Sequence, residues 1–397
     1  MIYFWWIAGS LIGLVWVWRV TETIIHLPSL PDLTRPEWDI HPEPAPRISV
    51  VVPARNEEEC IRQCLTSLLE NEYPDFEIIA VDDRSTDRTG IIMDELAASP
   101  TNKDGKLKII HVKELPARWL GKTHAMWKAA AQSTGKWLLF TDGDIIYRND
   151  TLRRSVACAE KQGADHFVLF PTMLMETFGE RMMIGFFQTM FVFGCRAWKV
   201  ADPKARDFIG AGAFGLVRRS VYEAVGTFER MRLEVIDDLM LAYRVKKSGY
   251  AQRIAFAPGM ISLRWGKGAL GIAGNLTKNS FSFFQFNWLY AFIGITAFSL
   301  LNWGPFFGTI FAPGWAKTGP IAALVMMFLL YVGFSRKSNV SPLFMLLHWV
   351  STGLFAITVF RSAWQAKFGG GVTWRGTQYS VTEIAAARER TLQIDPR

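Results

Sequence analysis

Cysteine is scarce, with four residues in a chain of 397. Cys60, Cys64, Cys158 and Cys195 show no zinc-ligand spacing. Cys60 and Cys64 are four apart on a predicted helix, so they share a face. They read as packing residues of a reducing compartment rather than a disulfide. No Gly-Lys-Ser/Thr follows the glycine-rich stretch 208–215, which excludes a nucleotide P-loop. No dense basic run with interleaved aromatics occurs, so the net charge of +8 does not read as a nucleic-acid interface. Its basic residues are spread through the centre and the flanks of apolar stretches. That spread fits positive-inside topology and an anionic lipid surface. Charge is missing altogether from residues 2–18 and from the stretch between Lys278 and Lys317.

What is there is apolar. Half the chain is hydrophobic and 14% is aromatic, with a mean hydropathy of +0.13 and the excess at the two ends. Residues 2–18 reach the minimum for a spanning helix, and Arg19 ends the run. No basic residue precedes the run and no small-residue cleavage site follows, so residues 1–20 read as an anchor rather than a signal peptide. Trp5, Trp6, Trp16 and Trp18 suit the membrane interfaces. Residues 21–46, proline-rich from Pro28, read as an extended linker. Residues 280–361 read as C-terminal transmembrane helices. The first is broken or ended by Asn302–Pro305, the stretch 320–334 is short for a span, and 341–360 is about the right length. Arg336-Lys337 is the expected cytoplasmic mark. His348 reads as a packing residue of the last span. A basic tail, 362–397, follows. The expectation is a multi-pass cell-membrane protein with its catalytic domain, 47–279, in the cytoplasm.

Inside that domain, 48–52 is a continuous β-branched strand ended by Pro53-Ala-Arg-Asn-Glu57. A helix with Ile61, Leu65, Leu68 and Leu69 on one face follows. A second strand, 77–81, ends in Asp82-Asp83-Arg84-Ser85-Thr86-Asp87, and a third is predicted at 107–112. This spacing predicts right-handed βαβ units and a mostly parallel sheet in an α/β domain. The acidic loops suit a ribose or base edge, and Asp83 and Asp87 equally suit helix capping. Lys122 opens a helix predicted over 123–132, where free N–H groups and a lysine can hold a pyrophosphate. The apolar run 137–140 ends in Asp142-Gly143-Asp144. Residues i and i+2 point the same way on extended chain, so both carboxylates can face one cation. Hard oxygen ligands suit Mg²⁺ or Mn²⁺ bridging to a phosphorylated substrate. A plain turn is the competing reading.

Four motifs occur in order: Val50–Glu57 (VVVPARNE), Val81–Asp87 (VDDRSTD), Trp119–Lys122 (WLGK) and Asp142-Gly-Asp144. Together they resemble a family-2 glycosyltransferase of the GT-A fold, in the membrane-bound branch that works on hopanoids, carotenoids and similar lipids. The match runs from about residue 48 to about residue 279. The resemblance implies a nucleotide-sugar donor, usually a UDP-sugar, with Pro53, Glu57 and Asp83 at the uridine and Asp142 and Asp144 at the metal and donor. Lys122 is added as a diphosphate contact. The glycine-rich 208–215 is similar to the segment under the donor sugar.

The same resemblance implies a catalytic base in Leu233–Leu239. By position it is Asp238, with Glu234 and Asp237 as alternatives and helix capping as the structural reading. Inverting transfer needs a carboxylate to take the acceptor hydroxyl's proton while the metal steadies the leaving diphosphate. The apolar stretch 182–198 reads as an interfacial helix, near 180–200, or a buried core helix; the former would set a lipid acceptor beside the site. Arg264, Trp265 and Lys267 are candidates for diphosphate or acceptor contacts, or for surface anchoring. Polysaccharide synthases carry Gln-x-x-Arg-Trp near here, and Ile261 replaces that glutamine. The expected function is transfer of one sugar to a lipid alcohol. The alternatives are a processive synthase and a silent nucleotide-sugar-binding scaffold. Residues 374–379 resemble a tail piece expected near the active site. One span before the domain and three after it would put the tail on the opposite side.

Overall fold

The computed structural model describes residues 2–102, 104–335, 338, 340–374 and 377–394. Helix α1 (Ile2–His26) leads into the linker. The α/β domain then alternates strand and helix: β1 (Ile48–Ala54), α2 (Ile61–Leu69), β2 (Phe76–Asp83), α3 (Thr89–Ala97), β3 (Leu107–Val112), α4 (Gly121–Gln132), β4 (Trp137–Phe140), β5 (Ile146–Tyr147) and α5 (Thr151–Lys161). Its second half holds β6 (His166–Phe170), β7 (Thr172–Met173), α6 (Phe178–Gly194), β8 (Gly215–Arg218), α7 (Arg219–Ala224), α8 (Thr227–Arg230), α9 (Asp237–Lys247), β9 (Gln252–Phe256) and β10 (Ile261–Leu263). Four apolar helices follow: α10 (Gly268–Phe283), α11 (Trp288–Phe311), α12 (Thr318–Ser335) and α13 (His348–Phe368). A short hairpin, β11 (Val372–Trp374) and β12 (Thr377–Tyr379), and α14 (Val381–Leu392) end the described chain.

Seven strands form one sheet in the order β3-β2-β1-β4-β8-β6-β9, in which β8 alone runs against its neighbours. The two-residue period of the strands divides the core. Val50, Val52, Ile78, Ala80 and Leu139 face one buried cluster with Ile61, Leu65 and Leu68 of α2. Val51, Ile79, Val81 and Leu138 face the other, under Ala125 and Ala129 of α4 and Leu241 and Val245 of α9. The parallel strands are therefore buried on both faces, and their carboxyl ends carry the loops that build the site.

The apolar helices depart from the sequence reading at three places. Helix α1 does not stop at Arg19; it continues to His26, because the Arg19 guanidinium donates to Phe193 O from Nε and Nη2 (3.0 and 2.7 Å) and pairs with Glu22. Pro305 does not end its helix either; it lies inside α11. Proline lacks the N–H that would serve Leu301 O, and the Trp16 indole donates to that oxygen at 3.0 Å instead. The stretch expected at 182–198 starts four residues earlier, behind a Thr177–Glu180 capping box, and its Met183, Ile184, Phe186 and Val192 are buried. Their partners are other helices of the chain, including Ile272 and Leu276 of α10 and Trp16 of α1. Small residues bring α1 and α12 together, and a Cβ on Gly319 would lie 2.2 Å from Gly9 O.

Helices α1, α11, α12 with its leading turn, and α13 with its leading turn are long and apolar enough to cross a membrane. His348 is buried between Asn302 Oδ1 (2.9 Å) and the Tyr331 hydroxyl (3.1 Å), as expected of a packing residue. The Arg336-Lys337 mark lies outside the described residues, as do Arg375 and Gly376 of the tail piece. The tail itself packs on the α/β domain: Tyr379 donates to Trp119 O at 2.9 Å, and Ile384 and Ala387 join a cluster with Leu120, Leu233 and Val235.

Candidate active site

Each acidic loop leaves the carboxyl end of a central strand. Asp83 ends β2, fully buried, and binds the Arg84 guanidinium at 2.8 Å. It sits so close to the start of α4 that a Cβ on Gly121 would fall 2.0 Å from Asp83 Oδ2. Only glycine permits that approach. Asp87 lies one residue outside the Arg88 N-cap of α3, and its Oδ1 accepts the Thr89 N–H at 2.9 Å. Pro53 is buried within β1, and its carbonyl lies 3.7 Å from where a Cβ on Gly143 would sit. Glu57 follows at the loop's turn, its N–H bound to Thr89 Oγ1 at 2.8 Å.

The chain after β4 is held from both sides. Thr141 N donates to Val51 O (3.2 Å) and Asp142 N donates to Gly212 O (3.0 Å). The glycine-rich loop closes over the carboxylates. A Cβ on Gly212 would lie 2.6 Å from Asp142 Oδ2, and one on Gly210 would lie 2.3 Å from the Asp238 carbonyl carbon. Gln252 fastens that loop through both Ile209 backbone groups (3.2 and 2.8 Å), and its amide contacts His166 Nδ1 at 2.7 Å. Burial holds His166 at about 4, so it is neutral.

Lys122 is the centre. Its Nζ lies 2.8 Å from Asp142 Oδ1 and 3.3 Å from Asp237 Oδ2. Burial would lower the lysine, yet Asp142, Asp237 and Asp238 hold it well above its ordinary value. Asp237 is pushed up to about 7 by burial, against the opposing pull of Lys122. Asp238 is also raised, again chiefly by burial, and its Oδ1 accepts the Leu239 N–H at 2.7 Å at the start of α9. Asp144 is pushed up to about 7 by burial, then by the Asp142 and Glu57 charges, and its buried Oδ1 has no hydrogen-bond partner. Lys122, Asp142, Gly212, Asp237 and Asp238 line one pocket.

The other candidates go elsewhere. Arg264 is bound to Glu176 (2.6 Å) and Glu180 (2.8 Å), where Glu180 also takes the Gly268 N–H at 2.7 Å. It joins α6 to α10 instead of reaching the pocket. Lys267 pairs with Glu59 at 2.7 Å on the exposed rim. Trp265 packs on Phe187 with ring centres 4.6 Å apart, so it faces the apolar helices. Glu234, an alternative base, is buried against Arg388 at 2.7 Å. His166, Gln252 and Arg388 were not read as site residues. Nothing local in their sequence marks them, because their partners lie 43 to 154 positions away.

A central sheet with one reversed strand, acidic loops at its carboxyl ends and a lysine among carboxylates define a GT-A glycosyltransferase fold. Residues 49–226 match the family described as Glycosyl transferase family 2. The fold is similar to that of the mannosyltransferase PcManGT from Pyrobaculum calidifontis, solved in complex with GDP-Man and Mn²⁺, with a TM-score of 0.53 at 19% identity over 93% of this chain and 99% of that one. Among curated relatives, the chain is 30% identical over 237 residues to "Probable glycosyltransferase YdaM" of Bacillus subtilis (strain 168), covering 57% of this chain and about half, 52%, of that one. It is 22% identical over 356 residues to a 4,4'-diaponeurosporenoate glycosyltransferase of Staphylococcus aureus (strain USA300), covering 85% of this chain and 89% of that one.

Proposed function

We propose that the protein is a membrane-integrated, inverting glycosyltransferase that moves one sugar from a nucleotide-sugar, a UDP-sugar by resemblance, to a lipid acceptor. The observation that carries this reading is the Lys122 ammonium between Asp142 and Asp237, with Asp238 beside it, at the carboxyl end of the sheet. The relative named for 4,4'-diaponeurosporenoate and the neighbour solved with GDP-Man and Mn²⁺ support a lipid acceptor and a nucleotide donor.

Pro53, Glu57 and Asp83 form the nucleotide end, and Lys122 holds the diphosphate. Asp238 takes the proton of the acceptor hydroxyl, whose oxygen forms a bond to the anomeric carbon as the bond to the diphosphate breaks. The products are an inverted glycoside and a nucleoside diphosphate. Asp142 and Asp144 fit a divalent cation: the unpartnered buried oxygen of Asp144 and the raised proton affinity of its carboxyl both ask for a positive charge. Among the described residues no three His, Cys, Asp or Glu side chains gather to hold an ion, so donor oxygens would complete the set. Mg²⁺ or Mn²⁺, when bound, supplies charge stabilisation to the leaving diphosphate.

The docked tail supports one topology over the others. A tail docked on the catalytic domain requires an even number of crossings between them. Helix α13 follows α10, with Phe281 N bound to Ser362 Oγ at 3.1 Å and Ile272 and Leu276 packed with Val350 and Leu354. Helix α10 touches the catalytic domain at both ends, through Gly268 to Glu180 and through Phe286 beside Leu120 and Val235. These contacts support a topology in which α1, α11 and α12 cross and α13 returns along the α/β domain, and the positive-inside rule favours a cytoplasmic side for that domain. Titration of the detergent-solubilised full chain with nucleotide sugars tests the reading. Binding should need Mn²⁺ or Mg²⁺ and lose that dependence in Asp144→Asn; equal binding with and without metal in the unaltered protein overturns the metal assignment.

A further inference from the structure

We propose that the C-terminal tail is a positioning clamp for the active-site loops, with Tyr379 and Arg388 as its contact residues. The inference rests on the transferase reading of the Lys122–Asp238 cluster. The two segments that carry that cluster are irregular where they approach it. One is the loop 113–120 ahead of Lys122, and the other is 231–236 ahead of Asp237 and Asp238. They are tied to each other by Leu120 N and Thr123 Oγ1, both donating to Arg232 O at 2.8 and 2.7 Å. Neither loop belongs to the sheet, so the sheet alone does not fix their distance from Asp142.

The tail supplies that restraint at three points. The Tyr379 hydroxyl donates to Trp119 O at 2.9 Å, three residues before Lys122. Arg388 Nε lies 2.7 Å from Glu234 Oε2, three residues before Asp237, with both side chains almost fully buried (7% and 1% exposed). Arg244 of α9 donates to Thr391 O and Gln393 O at 2.6 and 2.9 Å, fastening the far end of the helix that begins with Asp237. Between these points Ile384 and Ala387 pack on Leu120, Leu233 and Val235. A buried ion pair contributes little net stability against its desolvation, and fixing one geometry is its best-attested use. Here the geometry is that of the two loops. Arg388 and Tyr379 touch none of the reacting groups, so they act through Lys122 and Asp238. The tail follows α10 to α13 in the chain, so seating those helices delivers the clamp. The site is then completed only in the inserted protein.

The test compares the full chain with Tyr379→Phe, Arg388→Met, Arg388→Lys and the paired Glu234→Gln/Arg388→Met, all in lipid nanodiscs. Two readouts are taken: steady-state turnover and amide hydrogen exchange. A clamp predicts that Tyr379→Phe and Arg388→Met lower kcat by about tenfold or more, since a misplacement of order 1 Å costs up to about 100-fold. Donor KM should hold within about twofold, because no donor contact is removed. Exchange should speed up in 117–123 and 231–238 and stay unchanged in β1 and β4. Arg388→Lys should recover most of kcat, and the neutral pair should recover the melting temperature without recovering kcat. Unchanged exchange in both loops overturns the clamp, and so does faster exchange with unchanged kcat. A donor KM that rises in step with the fall in kcat also overturns it, since that marks a binding residue. An unaltered protein that turns over no donor counts against the transferase reading, and the exchange data then decide the clamp alone.

Discussion

Replacing Lys122 by methionine removes the ammonium that bridges Asp142 and Asp237. The two pairs differ in worth. Asp142 is 37% exposed in its side chain, so water screens its loss and the 2.8 Å contact is worth about 1 kcal/mol at most. Asp237 is 8% exposed at 3.3 Å, where an effective dielectric of about 20 gives an attraction of about 5 kcal/mol before desolvation. Breaking such a pair from one side strands a buried charge and costs about 3–5 kcal/mol. In a domain of this size that lowers the melting temperature by about 10 °C. Asp237 would answer by taking up a proton, and adding Asp237→Asn should restore most of the loss. The assay is thermal unfolding of the metal-free, detergent-solubilised protein, followed by the fluorescence of its 16 tryptophans. A Lys122→Met protein within about 1 kcal/mol of the original, or a double variant whose losses simply add, would refute the electrostatic account of the cluster.

Asp238→Asn keeps the side chain's shape and an oxygen for the Leu239 N–H. It should leave donor binding intact and lower kcat by about 10²–10⁴-fold; normal turnover would move the base elsewhere. A pH prediction follows from Asp144 and Asp237, each pushed up to about 7 from an ordinary 3.8. A carboxyl raised on folding holds its proton more tightly in the folded chain, so its stabilisation is present in acid and is lost as pH rises through about 7. His166, held at about 4, acts in the other direction and only below its ordinary 6.5. Between about pH 4 and 7 the metal-free protein should therefore lose melting temperature, the two carboxyls outweighing the one histidine, and Mn²⁺ should reverse the loss; a flat profile in chelator would contradict both assignments.

The fold was legible where one short segment decides its own state. The strand at 107–112 and the strand at 137–140 match their observed bounds because a β-branched or apolar run between turn residues has few other uses. The four ordered motifs likewise put Asp83 and the Asp142–Asp144 pair at strand ends and Lys122 at a helix start. What was illegible depends on distant partners. By local rules Arg19 is a charge that ends an apolar run and Pro305 is a helix breaker, and Phe193 O and the Trp16 indole are what accommodate them. Arg264 and Lys267 resemble phosphate ligands until Glu176, Glu180 and Glu59 are seen to hold them. Counting apolar runs gave the long apolar helices but could not tell one suited to cross a membrane from one that returns along the α/β domain. Only the contacts of α13 with α10, and of the tail with Trp119 and Glu234, bear on that.

The most direct measurement is product formation by the full chain in lipid nanodiscs. It would be given a panel of nucleotide sugars, Mn²⁺ or Mg²⁺ and a total lipid extract, with products read by mass spectrometry. The account predicts one nucleotide sugar consumed and one glycolipid carrying a single added sugar, with neither seen in Asp238→Asn. A long polymer would contradict the single-transfer reading and favour a processive synthase. Donor binding without any product, in every combination, would contradict catalysis itself.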